Sequence, residues 1–402
     1  MESGREGTSR MRTQVGIVGA GPAGLLLSHL LHRQGIASVV LEARSRAHVE
    51  GRIRAGVLEH GAARTLIEAG VGERMHREGL VHHGINLSFA GKRHRINLSG
   101  LTGGRTVTVY GQHEVVKDLI AARVAAGGEL YFDAPATGVT DLESARPRIG
   151  FTQQGVAREL ECDFIAGCDG FHGISRPSLP VSAIKISERV YPFAWLGVLA
   201  RAAPASEELV YARHADGFAL MSMRSPQITR LYLQCRPDED LREWPDARIW
   251  RELHRRLENG GGMALNEGTI LQRSVTPMRS FVVEPMQHGR LFLLGDAAHI
   301  VPPTGAKGMN LAIADVLVLA RALTAYYKSG RSDLLDRYSA TCLARVWMVQ
   351  RFSWWMTSLL HRFPDSDAFA ERIQLAELEY LAQSEAAQRA LAENYVGLPY
   401  EA

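Results

Sequence analysis

The chain has 402 residues, of which 46% are hydrophobic and 22% charged, and its formal net charge at pH 7 is +3. This composition is typical of a soluble globular enzyme with two intimate domains. The small charge gives no reason to expect a nucleic-acid partner, although a weak positive field favours an anionic substrate. The spacing of Cys162, Cys168, Cys235 and Cys342 fits neither a disulfide scaffold nor a metal site, so we expect reduced thiols and no metal.

The N-terminal segment Met1–Arg12 is polar and lacks the apolar core of a signal peptide. We therefore expect a disordered extension over residues 1–11 and a cytoplasmic protein. The most apolar helix candidate, Leu311–Tyr327, contains Asp315 and Arg321. It is predicted to be too short and too polar to cross a bilayer, so we expect no membrane association.

The first glycine-rich segment has the sequence context of a dinucleotide-binding turn. Val15–Val18 has the apolar character of a buried strand, and a helix is predicted to start at Leu25. Glycines between them let backbone N–H groups and a helix N-terminus approach a pyrophosphate. Glu42 follows a second apolar strand, Val39–Leu41, at about the spacing of a ribose-binding acid. Five positions are predicted to contact the cofactor: Gly19, Gly21, Ala23, Gly24 and Glu42.

The remainder of the first part of this domain, residues 12–180, alternates helices and strands. A basic loop, Gly51–Gly56, leads into a helix that is predicted to end near Gly70. A strand, a helix and a short apolar run follow, and they are predicted at Thr106–Tyr110, Gln112–Ala126 and Asp163–Gly167.

The pattern changes to short, alternating, aromatic-rich runs over residues 181–275, which indicates a mostly antiparallel sheet inserted as a substrate domain. Ser222 and Arg224 lie two residues apart on one such run and so share a face, and Tyr232 lies on the next run. These three side chains suit a substrate carboxylate. Taken alone, they also fit a surface arginine with two ordinary hydroxyls.

The nucleotide-binding fold resumes over residues 276–330. Leu291–Leu294 is a predicted strand, Gly295–Asp296 a turn, and a long helix is predicted to begin near Gly308. Asp296 is either a helix cap or an acceptor for sugar-like hydroxyls. Two such turns almost three hundred residues apart suit FAD, which is long enough to reach both, whereas an NAD dehydrogenase needs only the first.

The predicted fold is therefore α/β: an FAD-binding Rossmann-like domain of the glutathione-reductase type, an inserted β-sheet substrate domain and a helical C-terminal region over residues 331–402. That last region contains a long amphipathic stretch, Asp365–Glu393. The aromatic cluster Phe352–Met356 is interpreted as a packed helix face or a subunit interface.

Three segments, Gly19–Gly24, Cys168–Gly170 and Gly295–Asp296, resemble the three flavin signatures of the class A flavoprotein monooxygenases. Further stretches resemble the members of that class that hydroxylate 4-hydroxybenzoate: Gly51–Glu59, Phe281–Arg290, Gly295–Gly308, Phe352–Pro364 and Asn394–Tyr400. The resemblance implies an FAD-dependent enzyme of aromatic-compound catabolism. It would convert 4-hydroxybenzoate to 3,4-dihydroxybenzoate with NADPH or NADH and O2, through a flavin C4a-hydroperoxide, as a homodimer.

The resemblance also assigns site residues. FAD contacts are expected at Arg52, Ile53, Arg54, Ala55, Gly56, Val57, Gln112, Asp169, Asp296, Met309 and Asn310. Substrate contacts are expected at Tyr211, Ser222, Met223, Arg224, Tyr232 and Pro303. Catalytic roles are expected for Tyr211, Tyr395, His82, Pro303, Lys307 and Asn310, with a tyrosine relay ending at His82. The family's flavin moves between two positions, and the loop around Arg54 is where we expect that mobility.

The nicotinamide preference stays open between NADPH and NADH. The resemblance implies nicotinamide-cofactor contacts at Arg44, His48, Phe171, His172 and Arg279. Relatives that prefer NADPH carry Arg-Gln directly after the ribose-binding acid and a later Tyr, where this chain has Ala43, Arg44 and His48. Met223 also replaces a Gln that is common in relatives.

Two further classes of function remain as alternatives. An amine or hydroxy-acid oxidase on a related fold would reduce its flavin with substrate and would not need a tyrosine pair with a carboxylate clamp. A non-enzymatic protein resembling the prenyl-binding Rab GDP-dissociation inhibitors should lack the second flavin turn at Gly295–Asp296, which this chain has.

Overall fold

The computed structural model describes residues 10–54, 56–258 and 263–400. The expected FAD contact Ala55 and residues 1–9 of the predicted extension lie outside the described residues. Arg10 and Met11, which were placed in that extension, instead belong to the first strand. This strand pairs in parallel with Val156–Glu161, so its backbone donors and acceptors are satisfied by a sheet rather than by water.

The elements are numbered in chain order. The strands are β1 (Arg10–Arg12), β2 (Val15–Val18), β3 (Ser38–Leu41), β4 (Val57–Leu58), β5 (Leu80–His82), β6 (Ile85–Phe89), β7 (Lys92–Ile96), β8 (Val107–Val109), β9 (Glu129–Tyr131), β10 (Ala136–Thr140), β11 (Arg148–Gln153), β12 (Val156–Glu161), β13 (Phe164–Gly167), β14 (Lys185–Arg201), β15 (Val210–Ala212), β16 (Ala219–Ser225), β17 (Ile228–Cys235), β18 (Thr269–Glu284), β19 (Gln287–His288), β20 (Leu291–Leu293) and β21 (His299–Ile300). The α-helices are α1 (Pro22–Arg33), α2 (Arg46–Gly51), α3 (His60–Glu68), α4 (Glu73–Glu78), α5 (Leu98–Leu101), α6 (Gln112–Ala125), α7 (Asp246–Leu257), α8 (Gly308–Ser329), α9 (Asp333–Asp336), α10 (Tyr338–Leu360), α11 (Ala368–Gln383) and α12 (Glu385–Val396). Short 3₁₀ turns lie at Arg176–Ser178, Val181–Ala183, Leu241–Glu243, Gly295–Ala297 and Pro303–Gly305.

A six-stranded sheet in the order β19-β20-β13-β2-β3-β9 forms the centre of the nucleotide-binding fold. Its strands are parallel except for the edge strand β19. β2, β3 and β13 are buried along their whole length, as expected for a parallel sheet covered on both faces. α1 packs against both α8 and α6 beside this sheet. The predicted α/β fold class is confirmed.

An eight-stranded sheet in the order β21-β18-β14-β17-β16-β15-β6-β7 forms the second layer. The alternating runs of the predicted substrate domain supply β14, β15, β16 and β17 of this sheet. The sheet extends beyond the predicted boundaries of residues 181 and 275, because β18 crosses the second boundary and β6 and β7 come from the first domain. β6 pairs in parallel with β15, with Val210 opposite Asn86. Such a long-range pairing leaves no local pattern in the sequence.

Two features of the helical region differ from the predictions. The stretch expected to be one amphipathic unit is two helices, α11 and α12, because Ser384 ends the first and its side chain accepts a hydrogen bond from Ala387 N–H at the start of the second. α8 is longer than predicted and, by length and composition alone, could cross a membrane. However, 61% of its most apolar window is buried within the fold, where it packs on α1 and α10 as a core helix.

Candidate active site

The turn after β2 has the geometry that the first glycine motif predicts. Gly19 has a φ angle of +102°, and a Cβ atom there would lie 2.5 Å from the carbonyl oxygen of Cys168. A Cβ on Gly24 would lie 2.0 Å from the carbonyl oxygen of Gly19, so both positions require glycine. At Gly21 no atom of the described residues lies within 4 Å of the Cβ position. The turn at Gly21 therefore borders open space, whereas Ala23, in the first turn of α1, is buried.

Glu42 lies beside that space, at the end of β3. Its Oε2 accepts a hydrogen bond from Ala20 N–H (2.7 Å), and its Oε1 accepts one from Arg44 N–H (2.8 Å). The cleft that Glu42 borders is lined by Ala20, Gly21, Pro22, Glu42, Arg44, His48, Val49, Arg52, Gln112, His113 and Val116. A glycine turn, a helix N-terminus, an acid and two arginines suit the pyrophosphate and ribose of a dinucleotide.

Asp296 lies in the 3₁₀ turn after β20, close in space to the basic loop. Its side chain is accessible to solvent, yet the surrounding protein raises the pKa of its carboxyl, against the opposing effects of His299, Arg54 and Arg52. Desolvation lowers the pKa of Arg54, and Arg52 lowers it further while Asp296 opposes the shift. The charges of Arg52 and Arg54 thus lie close enough to Asp296 to act on its carboxyl. An acid facing two arginines there can bind a ligand with both hydroxyls and phosphates.

The strand β4 brings the predicted contacts Gly56 and Val57 close to the start of α8. A Cβ on Gly56 would lie 2.0 Å from the carbonyl oxygen of Tyr110, so this backbone approach also requires glycine. The Asn310 side chain donates to Val57 O (2.9 Å) and to Ala306 O (2.8 Å). α8 begins at Gly308 and presents its first N–H groups, including that of Met309, at this end of the helix. Such an N-terminus favours negative charge on a bound group.

Lys307 and Asn310, predicted to act at the flavin, both bind Glu59, a residue to which no role was assigned from the sequence. Lys307 Nζ contacts Glu59 Oε1 at 2.5 Å, and Asn310 Oδ1 accepts from Glu59 N–H at 2.9 Å. Arg345 contacts the other carboxylate oxygen at 3.2 Å. Burial lowers the pKa of Lys307, and Glu59 opposes this shift. The side chains of Lys307 and Asn310 are therefore occupied in joining α8 to the segment after β4.

Asp169 makes a local contact that the flavin signature did not predict. Its Oδ2 accepts from the Ser175 N–H (2.9 Å) and from the Ser175 hydroxyl (3.0 Å), which closes the turn after β13. Its Oδ1 is buried without a hydrogen-bond partner among the described residues. Burial raises the pKa of Asp169, and the bonds from Ser175 oppose that shift. One oxygen thus holds the turn, and the other remains available to a ligand.

The two tyrosines of the expected relay meet in the core between the large sheet and α12. Their hydroxyl oxygens lie 2.6 Å apart, and Tyr211 and Tyr395 are 1% and 2% exposed. Burial raises the pKa of both phenols, so both remain protonated near neutral pH. A pair of protonated hydroxyls this close can pass a proton along its hydrogen bond without either becoming a lasting phenolate.

His82 ends β5 and is buried with 1% exposure. Neither ring nitrogen has a hydrogen-bond partner within the described ranges. Burial lowers the pKa of His82 to about 4, with Glu208 opposing the shift and His83 adding to it. A buried imidazole with both nitrogens unpaired can be satisfied by water, which is what a bridged relay requires.

The expected carboxylate clamp lies on one face of the large sheet. The Arg224 guanidinium donates to the Ser222 hydroxyl at 3.2 Å, and its Nε is buried without a partner among the described residues. The strand register puts Tyr232 opposite Leu220 and Arg230 opposite Ser222, so all four polar side chains point to the same face. Burial lowers the pKa of Arg224, and Tyr232 opposes that shift.

Arg230 is a member of this face that was not selected from the sequence. Its guanidinium carbon lies 5.2 Å from the ring centroid of Tyr232, and its Nη1 is buried with no partner in the described part of the chain. The available signal was its position two residues before Tyr232 on an alternating strand, which is the same spacing that joins Ser222 to Arg224. Two arginines with unpaired buried nitrogens therefore face the same region.

Two predicted substrate contacts involve the backbone. Met223 lies between Ser222 and Arg224, so its side chain points to the opposite face of β16, and only its carbonyl oxygen reaches Arg224 Nη1 (3.2 Å). The Pro303 carbonyl oxygen accepts a hydrogen bond from Ala306 N–H (2.9 Å), which leaves one lone pair for a ligand. A side-chain contact of Met223 with a substrate held by Arg224 is thus not supported by the strand geometry.

The expected nicotinamide contacts form two groups. Phe171, His172 and Arg279 lie together, with the His172 ring 5.0 Å from the Phe171 ring and the Arg279 guanidinium carbon 4.6 Å from it. Arg44 and His48 instead line the cleft that contains Glu42. The contacts of the described residues do not bring the two groups together.

The chain is similar to known FAD-binding hydroxylases. The FAD binding domain family matches residues 12–353. A p-hydroxybenzoate hydroxylase of Acinetobacter baylyi is 49% identical over 97% of this chain and 96% of its own length. A 3-(3-hydroxy-phenyl)propionate/3-hydroxycinnamic acid hydroxylase of Mycobacterium avium is 27% identical over 81% of this chain and 57% of its own length. The crystal structure of p-nitrophenol 4-monooxygenase from Pseudomonas putida, 18% identical, superposes with a TM-score of 0.80 over 97% of this chain and 99% of that chain, which is a likeness of fold.

Proposed function

Because the chain belongs to the FAD binding domain family of flavoprotein hydroxylases, we propose that it hydroxylates 4-hydroxybenzoate at the carbon ortho to its hydroxyl group. The reaction converts 4-hydroxybenzoate, O2, NAD(P)H and a proton to 3,4-dihydroxybenzoate, water and NAD(P)+. Bound FAD supplies the redox chemistry, since it accepts the hydride and activates O2. The observation that carries the substrate assignment is the tyrosine pair, with hydroxyls 2.6 Å apart. On the same sheet, the buried Nε of Arg224 has no partner among the described residues.

The residues of the nucleotide cleft fit FAD. The glycine turn at Gly19–Gly24 and the N-terminus of α1 would hold the pyrophosphate, and Glu42 would accept hydrogen bonds from the ribose. Asp296 would accept from the hydroxyls of the ribityl chain, with Arg54 close to it. The space opposite Gly21 and the close approach at Gly56 are what an extended cofactor needs.

The substrate carboxylate is proposed to bind Arg224. The buried, unpaired Nε of that guanidinium can donate to a carboxylate, while Nη1 is held by the Ser222 hydroxyl and the Met223 carbonyl oxygen. Tyr232 adds a neutral donor, and Arg230 adds positive charge on the same face. An anionic aromatic acid neutralises this face better than a neutral phenol does.

The phenol end is proposed to bind Tyr211. Its hydroxyl would accept the substrate's proton as it passes its own to Tyr395, and His82 would exchange that proton with solvent through water. Loss of the proton gives a phenolate, whose ortho carbon is more electron-rich and so more reactive toward an electrophilic oxygen. The tyrosines stay protonated at neutral pH, so they act as a conduit rather than as a strong base. Their burial keeps bulk water away from the reacting carbon.

Two finer assignments belong to the same proposal. A homodimer is supported by two exposed tryptophans on α10, Trp347 (43%) and Trp354 (44%), which line an apolar groove with Phe281 of β18.

A cytoplasmic location is supported by the four buried free thiols. Sedimentation velocity at micromolar concentration tests the first, and fractionation of cells that express the chain tests the second.

The deciding experiment is anaerobic reduction of the FAD-loaded protein by NADPH and by NADH, with and without 4-hydroxybenzoate. We expect 4-hydroxybenzoate to accelerate flavin bleaching by orders of magnitude, and the faster nucleotide identifies the coenzyme. Product analysis after admission of O2 should give 3,4-dihydroxybenzoate. A flavin that neither nucleotide reduces, whatever aromatic acid is present, would instead favour an oxidase or a non-catalytic protein.

A further inference from the structure

His361 is a fully buried imidazole at the end of α10, far in sequence from every residue placed at the substrate. Its exposure is 0%. Its Nδ1 lies 3.0 Å from the Thr357 carbonyl oxygen, and its Nε2 lies 2.7 Å from Trp195 Nε1. A carbonyl only accepts and an indole N–H only donates, so Nδ1 must carry the ring proton and Nε2 must be the acceptor. One neutral tautomer satisfies both contacts.

The surroundings hold the ring in that neutral state. Burial lowers the pKa of His361 to about 3. The ring stacks on Phe193 at 4.7 Å between centroids and on Phe218 at 4.4 Å. A second proton would leave Trp195 N–H facing another donor, so the contact with Trp195 exists only while the imidazole is neutral.

Two of the three aromatic neighbours of His361, Trp195 and Phe218, contact a tyrosine of the proposed substrate site. Trp195 contacts Tyr232 at 4.8 Å between centroids, and Phe218 contacts Tyr211 at 6.3 Å. Trp195 and Phe218 stack on each other at 5.2 Å with an interplanar angle of 16°. The imidazole therefore fixes Trp195 and Phe218. These two rings contact Tyr232 at the proposed carboxylate end of the substrate and Tyr211 at the proposed phenol end.

We propose that His361 is a positioning residue for the substrate: by accepting the Trp195 N–H and stacking on Phe218, it sets the orientation of Tyr232 and Tyr211. The inference rests on the proposed function, since it takes those tyrosines as the substrate contacts. It adds a second residue of the C-terminal helical region, besides Tyr395, to the proposed site. It also gives the histidine among these aromatic rings a role that a phenylalanine could not fill, since a phenylalanine ring cannot accept the Trp195 N–H.

The test is a double-mutant cycle between His361 and Trp195, read as the dissociation constant of 4-hydroxybenzoate from the FAD-loaded enzyme. His361→Phe keeps a flat ring but leaves the indole N–H buried without an acceptor, and we expect the dissociation constant to rise about tenfold. Trp195→Phe removes the donor itself and should raise it about threefold. In the Trp195→Phe background, His361→Phe should add less than twofold, because the group it acts through is absent.

A spectroscopic measurement separates positioning from packing. The indole N–H resonance of Trp195, identified by its loss in Trp195→Phe, should lie downfield and exchange slowly in the wild type. It should move upfield in His361→Phe. His29→Phe is the matched control, because it removes another buried imidazole, whose Nε2 lies 2.9 Å from Ala69 O in the nucleotide-binding fold. We expect it to lower the melting temperature and leave the dissociation constant unchanged.

The outcomes are distinct. If wild-type enzyme fails to bind 4-hydroxybenzoate, the proposed function is wrong and this inference falls with it. If the wild type binds and His361→Phe binds equally well, only the inference is overturned. Equal loss of affinity from His361→Phe in both backgrounds would also overturn it, since the effect would not pass through Trp195. If His361→Phe does not fold, an unchanged dissociation constant in Trp195→Phe is by itself contrary to the proposal.

Discussion

Replacing Arg224 with alanine tests the carboxylate clamp directly. The Arg224 side chain is partly buried, and its Nε is buried with no partner among the described residues, so a bound carboxylate would satisfy a donor that is otherwise unpaired. Truncating one partner of a buried, hydrogen-bonded charge pair costs about 2–5 kcal/mol. Ser222 and Tyr232 remain as neutral donors and Arg230 remains as a nearby charge, so we take about 3 kcal/mol. That loss corresponds to a dissociation constant raised roughly a hundredfold.

The assay is titration of the FAD-loaded enzyme with 4-hydroxybenzoate, followed by the flavin absorbance change. Titration with 4-hydroxybenzamide, which has the same ring and hydroxyl but no negative charge, isolates the carboxylate. We expect Arg224→Ala to change the affinity for the amide by less than about threefold. Arg236→Ala is the control, because that side chain is 76% exposed and pairs with Asp238 at the surface. Equal losses for acid and amide would refute the clamp, since the effect could not then come from the carboxylate.

Three further predictions follow from the same site. Tyr211→Phe removes one hydroxyl of the 2.6 Å pair, so hydroxylation should slow about a hundredfold while substrate affinity changes less than threefold. Oxygen consumption and product formation are measured together, and a variant that couples them fully at the normal rate would contradict the relay. Lys307→Met leaves Glu59 paired only with Arg345 and should lower the free energy of unfolding by about 3 kcal/mol. Urea unfolding measures this change, and an unchanged urea midpoint would show that the buried pair does not stabilise the fold. The pKa of His82 is about 4 in the folded protein, below the value of about 6.5 for an unfolded histidine. As the pH falls, the unfolded state therefore binds the extra proton first, and the free energy of unfolding decreases between about pH 6.5 and pH 4. Over that pH range the free energy of unfolding should therefore fall by up to about 3 kcal/mol less in His82→Gln than in the wild type. Urea midpoints that fall equally with pH in the wild type and in His82→Gln would contradict the assignment.

The parts of the fold that the sequence predicted correctly are those with a local signal. The strand before Gly19, the helix after it and the acid at Glu42 lie within thirty residues, and each is specified by its own pattern. Ser222 and Arg224 were paired by the two-residue period of a strand, which needs no knowledge of the partner strand. The same period would have selected Arg230, but no expectation drew attention to it.

The parts that were missed depend on contacts between distant segments. Glu59 and Lys307 are separated by 248 positions, and nothing near Glu59 shows that its carboxylate is buried against a lysine and an arginine. β6 was assigned to the first domain because its partner, β15, lies more than a hundred residues later. A break of one residue at Ser384 was likewise invisible inside an amphipathic stretch, since both helices bury apolar side chains: Leu378 and Leu381 in α11, Leu391 and Val396 in α12.

The contacts of Lys307 connect the cofactor end of the site to the substrate end. Its Nζ donates to the carbonyl oxygen of Tyr395 (3.0 Å) as well as to Glu59, so the backbone that carries the second relay tyrosine is attached to the residue before α8. α8 is the helix whose N-terminus would face the flavin, and Glu59 follows the strand that carries Val57. Through Lys307, the carboxylate of Glu59 and the backbone of Tyr395 are therefore joined to the start of α8. The buried lysine thus links the proposed cofactor site to the proposed relay tyrosine by an ion pair on one side and a backbone hydrogen bond on the other.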